Sequence, residues 1–355
     1  MYKVFSDQHH LSLYNSLSIL FEKRLGGTLY RPIGKDWFHK GYWRMAEIYN
    51  NHPETIEQYL GIRPDYIPAD GSAPLNRVQK IEKGVYYIWD PEYEYYHKAI
   101  ELNTFMQTEI DIVIASIPQH ITSFARLCAE HPKHPKLIYQ VGNAWTIQEG
   151  YAKNIMASAI INAVPPETNI VTYHQEFDTK IFAPAPPAQN KNITSFINCL
   201  NTASHYVADW NLFQTVERIM PEWSFKSYGG SCRDGAAHGA VNLAKLMGES
   251  RFIWHTKNGG DGYGHIIHNA GAMGRPMIVK RQYYEGKMGK DLMKDGVTCV
   301  TVDGLNPNEI VNKINYYNEE NRYQTLCKEA YNNFMSVVNF DKEAEQIQAF
   351  LANLK

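Results

Sequence analysis

Asn258-Gly259-Gly260-Asp261-Gly262-Tyr263-Gly264 stands between Arg251-Phe252-Ile253-Trp254-His255, an apolar run of strand length, and His265 to Met273, which reads as a helix. Pro276 to Lys280 then resumes as strand. Strand, glycine-rich loop, helix and strand again is the repeating unit of a parallel α/β sheet. Gly262 and Gly264 let backbone N–H groups approach a ligand closely. The helix that opens near His265 points its positive end at the same place. Together they form an anion site suited to a diphosphate.

The same alternation extends to both sides. In the second half, strands are expected at 193–199, 223–227 and 299–302, and helices at 210–220 and 240–247. A second glycine-rich loop runs Gly229 to Gly235, and a helical tail fills most of 306–354. In the first half, Val4 to Ser6 reads as strand, and Leu13, Leu17, Leu20 and Phe21 give helical spacing over 11–25, ended by Gly26-Gly27. Strands are expected at 28–31, stopped by Pro32, and at 110–115, 136–141 and 169–173, with a helix over 121–130. Residues 34–97 hold Trp37, Tyr42, Trp43, Trp89 and Tyr93 to Tyr96 and read as an aromatic insertion, with helical pieces near 44–60 and 95–108. The Pro-rich stretch Ala183 to Asn190 reads as a linker. The expected organisation is a domain over 1–182, a linker over 183–192, a second domain over 193–335 and a terminal helix over 336–355. The fold class is α/β: two doubly wound, Rossmann-like domains facing a cleft.

Composition fits this reading. At roughly 150 residues per domain, a chain of 355 residues makes about two. Lys and Arg number 35 against 37 Asp and Glu, a net charge of -2, so the chain as a whole is no constitutive nucleic-acid coat. No apolar run reaches the roughly 18 residues of a membrane span. The N-terminus lacks an apolar leader core, which favours the cytoplasm of the producing cell. Five scattered cysteines without a CxxC pair indicate neither a zinc knuckle nor a disulfide framework. The 24 tyrosines and 7 tryptophans are expected mainly as core, with a stacking surface for sugars or bases as the sharper alternative.

Asp261-Gly262-Tyr263-Gly264, then Asn269 to Val279 with its small-residue helix end and Gly-Arg-Pro turn, then Asp295-Gly296-Val297-Thr298, resembles the nucleotide-sugar half of GT-B glycosyltransferases. The large retaining family that transfers sugars from nucleoside diphosphates is the nearest look-alike. Outside this half the resemblance rests on strand–helix order. It implies that Asp261 meets hydroxyls of the transferred sugar, that Asn269 meets the donor ribose, and that backbone groups of Gly262, Tyr263, Gly264 and His265 bind the diphosphate, with Gly230 also on the donor side. Two departures stand out. Asn269 takes the place of a glutamate, which removes a charge. The family's Gly-Arg…Lys phosphate clamp is missing, with Asn198 to Asn201 in its position, so Arg233 or Lys257 is expected to supply the cation unless each is only a solvated loop charge. The donor implied is a nucleoside-diphosphate sugar, a UDP-sugar first among them, with no tightly bound cofactor and no metal. The acceptor is a saccharide or a hydroxylated DNA base, as in phage enzymes of this architecture, which would place the protein in the host cytoplasm.

The first half should supply the acceptor site. Three segments stand at expected strand C-terminal ends, where α/β folds put ligands: Asp7-Gln8-His9-His10, Pro118-Gln119-His120 and His174-Gln175-Glu176. The family often carries a sugar-contacting histidine where His120 falls. Read from the residues alone, His120 is a site residue or a satisfied structural histidine. Asp7 is an acceptor contact, a general base or a turn residue. His9 and Glu176 are base candidates in the same sense, and the spacing of these groups matches no metal motif. Retention of configuration needs no strong base; a true base at Asp7, His9 or Glu176 would favour inversion. The alternatives are a sugar-nucleotide epimerase and a non-catalytic nucleotide-sugar-binding protein, the latter favoured by Asn269.

Overall fold

The computed structural model describes residues 1–7, 11–34, 36–42, 78–90, 95–142, 153–161 and 164–355. The chain divides into two compact units, Met1–Phe177 with Phe340–Lys355, and Asp178–Asn339.

The first unit contains β1 (Lys3–Ser6), α1 (Leu11–Ser18) continued by a π-helical stretch over Ile19–Arg24, β2 (Thr28–Pro32), α2 (Asp36–His39), β3 (Val78–Glu82), β4 (Val85–Asp90), β5 (Tyr95–Ile100), α3 (Leu102–Gln107), β6 (Ile112–Ala115), α4 (Pro118–Glu130), β7 (Lys136–Val141), β8 (Asn154–Ala157) and β9 (Asn169–Thr172). They form one sheet of order β3-β4-β5-β2-β1-β6-β7-β8-β9. From β5 to β9 neighbouring strands are parallel, and β3-β4-β5 is an antiparallel meander joined to β2 through β5.

That meander corrects the helix expected over 95–108. Residues 95–100 are strand, and only Leu102–Gln107 is helical. In Tyr96-His97-Lys98-Ala99, His97 and Ala99 turn inward while Tyr96 is exposed, the period-2 pattern of a sheet. The aromatic insertion is therefore partly an extension of the main sheet; the helix expected near 44–60 lies outside the described residues. Strand β8 was not expected from its sequence. Trp37 is core: its ring stacks on Phe5 at 4.6 Å and its Nε1 donates to the Ile100 carbonyl at 3.0 Å.

The second unit contains β10 (Asn192–Ser195), α5 (Val207–Ile219), β11 (Ser224–Ser227), α6 (Ala240–Glu249), β12 (Phe252–His255), α7 (His265–Ala272), β13 (Met277–Val279), β14 (Cys299–Thr301), α8 (Pro307–Asn318) and α9 (Glu320–Val337). Its sheet is all parallel, of order β11-β10-β12-β13-β14. Strands β12 and β13 are short, buried, apolar runs, as expected where both faces of a parallel sheet are covered, whereas edge strand β11 alternates buried and exposed positions. Helix α8 starts at a capping box: Asn306 Oδ1 accepts from the Glu309 N–H at 3.1 Å, Glu309 Oε2 accepts from the Asn306 N–H at 2.8 Å, and Pro307 opens the first turn.

Two findings revise the expected organisation. The Pro-rich stretch is not a free linker but part of the second unit. Arg275, buried at 1% exposure, donates to the carbonyls of Ala185, Pro186 and Gly248, and Arg251 donates to that of Ala188. These carbonyls lie outside the sheet ladders, and the two guanidiniums satisfy them. Secondly, the last helix, α10 (Phe340–Ala352), returns to the first unit. Ile347, Phe350 and Leu351 pack with Val4, Leu17, Ile138 and Met156 under the sheet. Each such side chain contributes about 1.5–3 kcal/mol when fully buried.

Candidate functional site

An open α/β sheet binds ligands beyond its strand C-termini where the strand order reverses, because adjacent loops diverge there and leave a crevice. In the second unit that point lies between β10 and β12, flanked by the loop after Ser195 and the loop from Thr256 to Gly264. Asp261 sits in the second loop. Its Oδ2 accepts from His255 Nε2 at 3.0 Å, and its Oδ1 pairs with Lys257. Burial by itself would raise the Asp261 carboxyl pKa, but the His255 hydrogen bond and the charges of His255 and Lys257 hold it well below the usual carboxylate range. The carboxylate is thus ionised and fixed, with a fifth of its side chain still exposed to solvent.

Two more lysines reach this loop. Lys280, the residue after β13, donates to Asp209 Oδ1 at 2.8 Å, while Asp209 Oδ2 accepts from the Asn258 N–H at 3.0 Å. Lys287 donates to the Gly259 carbonyl. The loop ends at Gly264, φ +85°, which caps α7; a Cβ there would lie 2.8 Å from Ile267 Cδ1. Tyr263 is buried, its ring flat on His268 at 4.0 Å and edge-on to His265 at 5.1 Å. Its side chain anchors the loop, and Gly262 and His265 on either side of the buried Tyr263-Gly264 pair keep part of their surface open. Asn269 lies within α7, 5% exposed, and its Oδ1 has no hydrogen-bond partner among the described residues. A buried amide oxygen in that state costs free energy until something donates to it.

Arg233 and Gly230 are tied down. The Arg233 guanidinium donates to both Glu217 oxygens (3.1 and 2.8 Å), to Asp234 Oδ2 (3.0 Å) and to the Phe225 carbonyl (2.7 Å), and lies over the Trp210 ring. Gly230 donates its N–H to Asn198 Oδ1 at 2.9 Å, and its carbonyl accepts from the Cys199 N–H at 2.8 Å. The glycine-rich loop at 229–235 is thereby laced to the loop after β10. A concavity of about 530 Å³ beside β13 and β14, lined among others by Arg281, Lys294, Asp295 and Asp303, is a separate place. Its carboxylates are already engaged, Asp303 by the N–H groups of Arg281 and Gln282, Asp295 by Lys313.

In the first unit the order reverses between β1 and β6. Asp7 follows β1, Ser116 follows β6, and His120 lies in the first turn of α4. The structure brings the two separate sequence candidates together: His120 Nδ1 meets Asp7 Oδ2 at 2.7 Å, with both side chains wholly buried. The Ser116 N–H donates to Asp7 at 2.8 Å and the Ser116 hydroxyl also donates to it. Burial would raise the Asp7 carboxyl pKa; the His120 and Ser116 hydrogen bonds outweigh it and hold the pKa below the ordinary value. An ionised carboxylate only accepts, so His120 carries a hydrogen on Nδ1. Glu176 is engaged elsewhere. It pairs with Arg24 at 2.5 Å, which also pairs with Asp341 of α10, so this carboxylate helps to hold the last helix. Burial raises its pKa against the pull of Arg24. His9 lies outside the described residues.

Sequence reasoning did not single out His255, Asp209, Lys280 or Lys287. The strand-end rule that selected Asp7 and His120 reaches His255 and Lys280 when applied to β12 and β13. No motif marks Asp209 or Lys287.

No family model matches the chain, and no curated protein matches it. Among solved structures, HepE of Anabaena, crystallised with UDP and glucose, aligns over 100% of both chains with a TM-score of 0.64 at 12% identity. A glycosyltransferase from Rickettsia africae aligns over 99% of this chain and 97% of its own, with a TM-score of 0.60 at 12% identity. The pneumococcal O-GlcNAc transferase GtfA, in complex with UDP and GlcNAc, covers 99% of this chain and 98% of its own, with a TM-score of 0.57 at 10% identity. The chain has the GT-B fold of nucleotide-sugar glycosyltransferases.

Proposed function

We propose that the protein moves a sugar from a nucleoside-diphosphate sugar, a UDP-sugar first among them, to an acceptor hydroxyl. The observation that carries the reading is the second unit's switch point. A glycine loop, the amide-rich mouth of α7 and three lysines gather there, in a chain that shares its full-length fold with proteins crystallised with UDP.

Chemically, the bond between the anomeric carbon and the diphosphate oxygen breaks, the acceptor oxygen bonds to that carbon while its proton passes to the departing diphosphate, and negative charge grows on the leaving diphosphate in the process. N–H groups at a helix N-terminus and nearby ammonium groups stabilise that charge without reorganising, because the fold has already oriented them. Asp261 meets the sugar hydroxyls at the outer edge of this set. Asn269 offers its unpartnered amide oxygen to a ribose hydroxyl. The first unit takes the acceptor, and the buried Asp7–His120 pair holds the loops at its strand ends in place. Retention of configuration is the preferred outcome, since Asp7, Glu176 and Asp261 are each already engaged by a partner. The acceptor is a saccharide, with a hydroxylated DNA base as the second candidate; the net charge of -2 gives DNA no added attraction.

The test is a thermal-shift screen against nucleoside diphosphates and their sugars, as a ligand bound to the native state raises its apparent stability. An assay of UDP release with oligosaccharides and with hydroxymethylated DNA follows. A stabilising UDP-sugar consumed only in the presence of acceptor is the expected result. Conversion of the sugar without acceptor would instead indicate an epimerase, and binding without turnover over the whole panel a non-catalytic binder.

A further inference from the structure

Three ammonium groups converge on the loop from Thr256 to Gly264, and two of them are already neutralised. Lys257 is paired with Asp261 and Lys280 with Asp209. Lys287 has no carboxylate within salt-bridge reach among the described residues; it donates to the Gly259 carbonyl. It is half-buried, and burial pulls its ammonium pKa down, with the charge of Asp261 opposing and that of Lys257 adding to the shift. A partly desolvated cation without a counterion lowers stability, and an incoming anion recovers that loss.

The ammonium lies against the glycine loop. Gly260 has φ +63°, and a Cβ on it would come within 2.8 Å of Lys287 Nζ and 2.3 Å of the Tyr283 carbonyl oxygen. Gly289, two residues beyond Lys287, packs against Ile267 of α7, the same side chain that touches Gly264. Lys287 therefore reaches the loop from the element that packs under the mouth of α7. Arg233 cannot take this place without giving up Glu217, Asp234 and the Phe225 carbonyl.

From this arrangement we infer that Lys287, carried by the segment after β13, is the cation that receives the donor's diphosphate. It replaces the clamp that Asn198 to Asn201 do not provide, and Lys257 and Lys280 remain bound to their aspartates. The inference rests on the proposed donor chemistry and sharpens it by naming the residue that reads the phosphates.

Calorimetry of the full chain with inorganic pyrophosphate, UDP and uridine tests it. Lys287→Met is expected to weaken pyrophosphate and UDP at least tenfold and to leave uridine unchanged, and Lys287→Arg to keep most of the affinity. Unchanged affinity of Lys287→Met for pyrophosphate and UDP overturns the assignment while the donor reading stands. A wild-type chain that binds uridine as tightly as UDP overturns it as well. A wild-type chain that binds no nucleoside diphosphate or its sugar removes both. A readout that needs no variant is acylation of lysines in the wild-type chain, followed by mass spectrometry. Pyrophosphate should protect Lys287 and leave Lys313 as reactive as before; equal labelling of Lys287 with and without pyrophosphate counts against it.

Discussion

Each unit sets an aspartate against a histidine beyond its strand ends, and the two pairs are wired for different work. Asp7 and His120 are wholly buried, and the carboxylate also accepts from the N–H and hydroxyl of Ser116. Asp261 and His255 sit at a loop that reaches solvent, with Lys257 on the same carboxylate, Lys287 donating to the loop's Gly259 carbonyl and Lys280 tied to Asp209, which accepts from the loop's Asn258 N–H. A pair sealed from solvent fixes orientation. The carboxylate at the solvent edge keeps Lys257, and Lys287, without a carboxylate partner among the described residues, is the cation left beside it for a phosphate. The contrast assigns rigidity to the first unit's pair and ligand binding to the loop around the second's.

The comparison breaks first at Asp7. Asp7→Ala leaves the buried His120 donor without this acceptor, at about 1–3 kcal/mol, and frees the part-buried Ser116 donors as well, so urea unfolding should show a loss of that order or more. The pH dependence has a definite sign. The folded pKa of Asp7 lies below its unfolded value, so its contribution is fully present above the unfolded pKa and is lost as pH falls through the folded one. The wild-type urea midpoint should therefore drop on acidification below the ordinary aspartate range by more than that of Asp7→Asn. Equal acid sensitivity of the two would remove Asp7 from the sealed role.

Asp261 should show its main effect in turnover. Asp261→Ala is expected to lower the transfer rate about 10²- to 10³-fold, the scale of losing one oriented electrostatic group, together with a loss of stability because His255 and Lys257 lose their carboxylate. Wild-type turnover in this variant would place the chemistry elsewhere. Arg233→Ala gives the smallest effect. Its partners are partly exposed, and such pairs contribute roughly 0.2–1 kcal/mol. Stability should fall by that order with UDP affinity unchanged, and a large loss of affinity would return Arg233 to the donor site.

How far these sites could be read from the sequence follows the range of the interactions. The glycine loop and the strand beside it are local patterns, and they mark the second unit's site. Asp7 and His120 each announce themselves at a strand end, but nothing local says that they touch, because β1 and β6 become neighbours only when the sheet forms. The misread segments have the same cause. Tyr95 to Ile100 pairs with β4 and β2, and those partners turn an ambiguous aromatic run into strand. Ala183 to Asn190 has the composition of a flexible tether, and distant guanidiniums hold it in place. Lys287 belongs to no motif at all; only folding shows that it has no carboxylate in salt-bridge reach among the described residues.

The return of α10 to the first unit limits how the protein can be cut. The polypeptide passes between the units twice, after Phe177 and after Asn339. A fragment ending at residue 177 would leave the greasy floor beneath Val4, Leu17 and Met156 without its cover of Ile347, Phe350 and Leu351, inviting aggregation. A soluble excised first half would have to be assembled from two pieces or rejoined by a grafted loop, whereas residues 178–339 form an uninterrupted stretch that can be expressed as one.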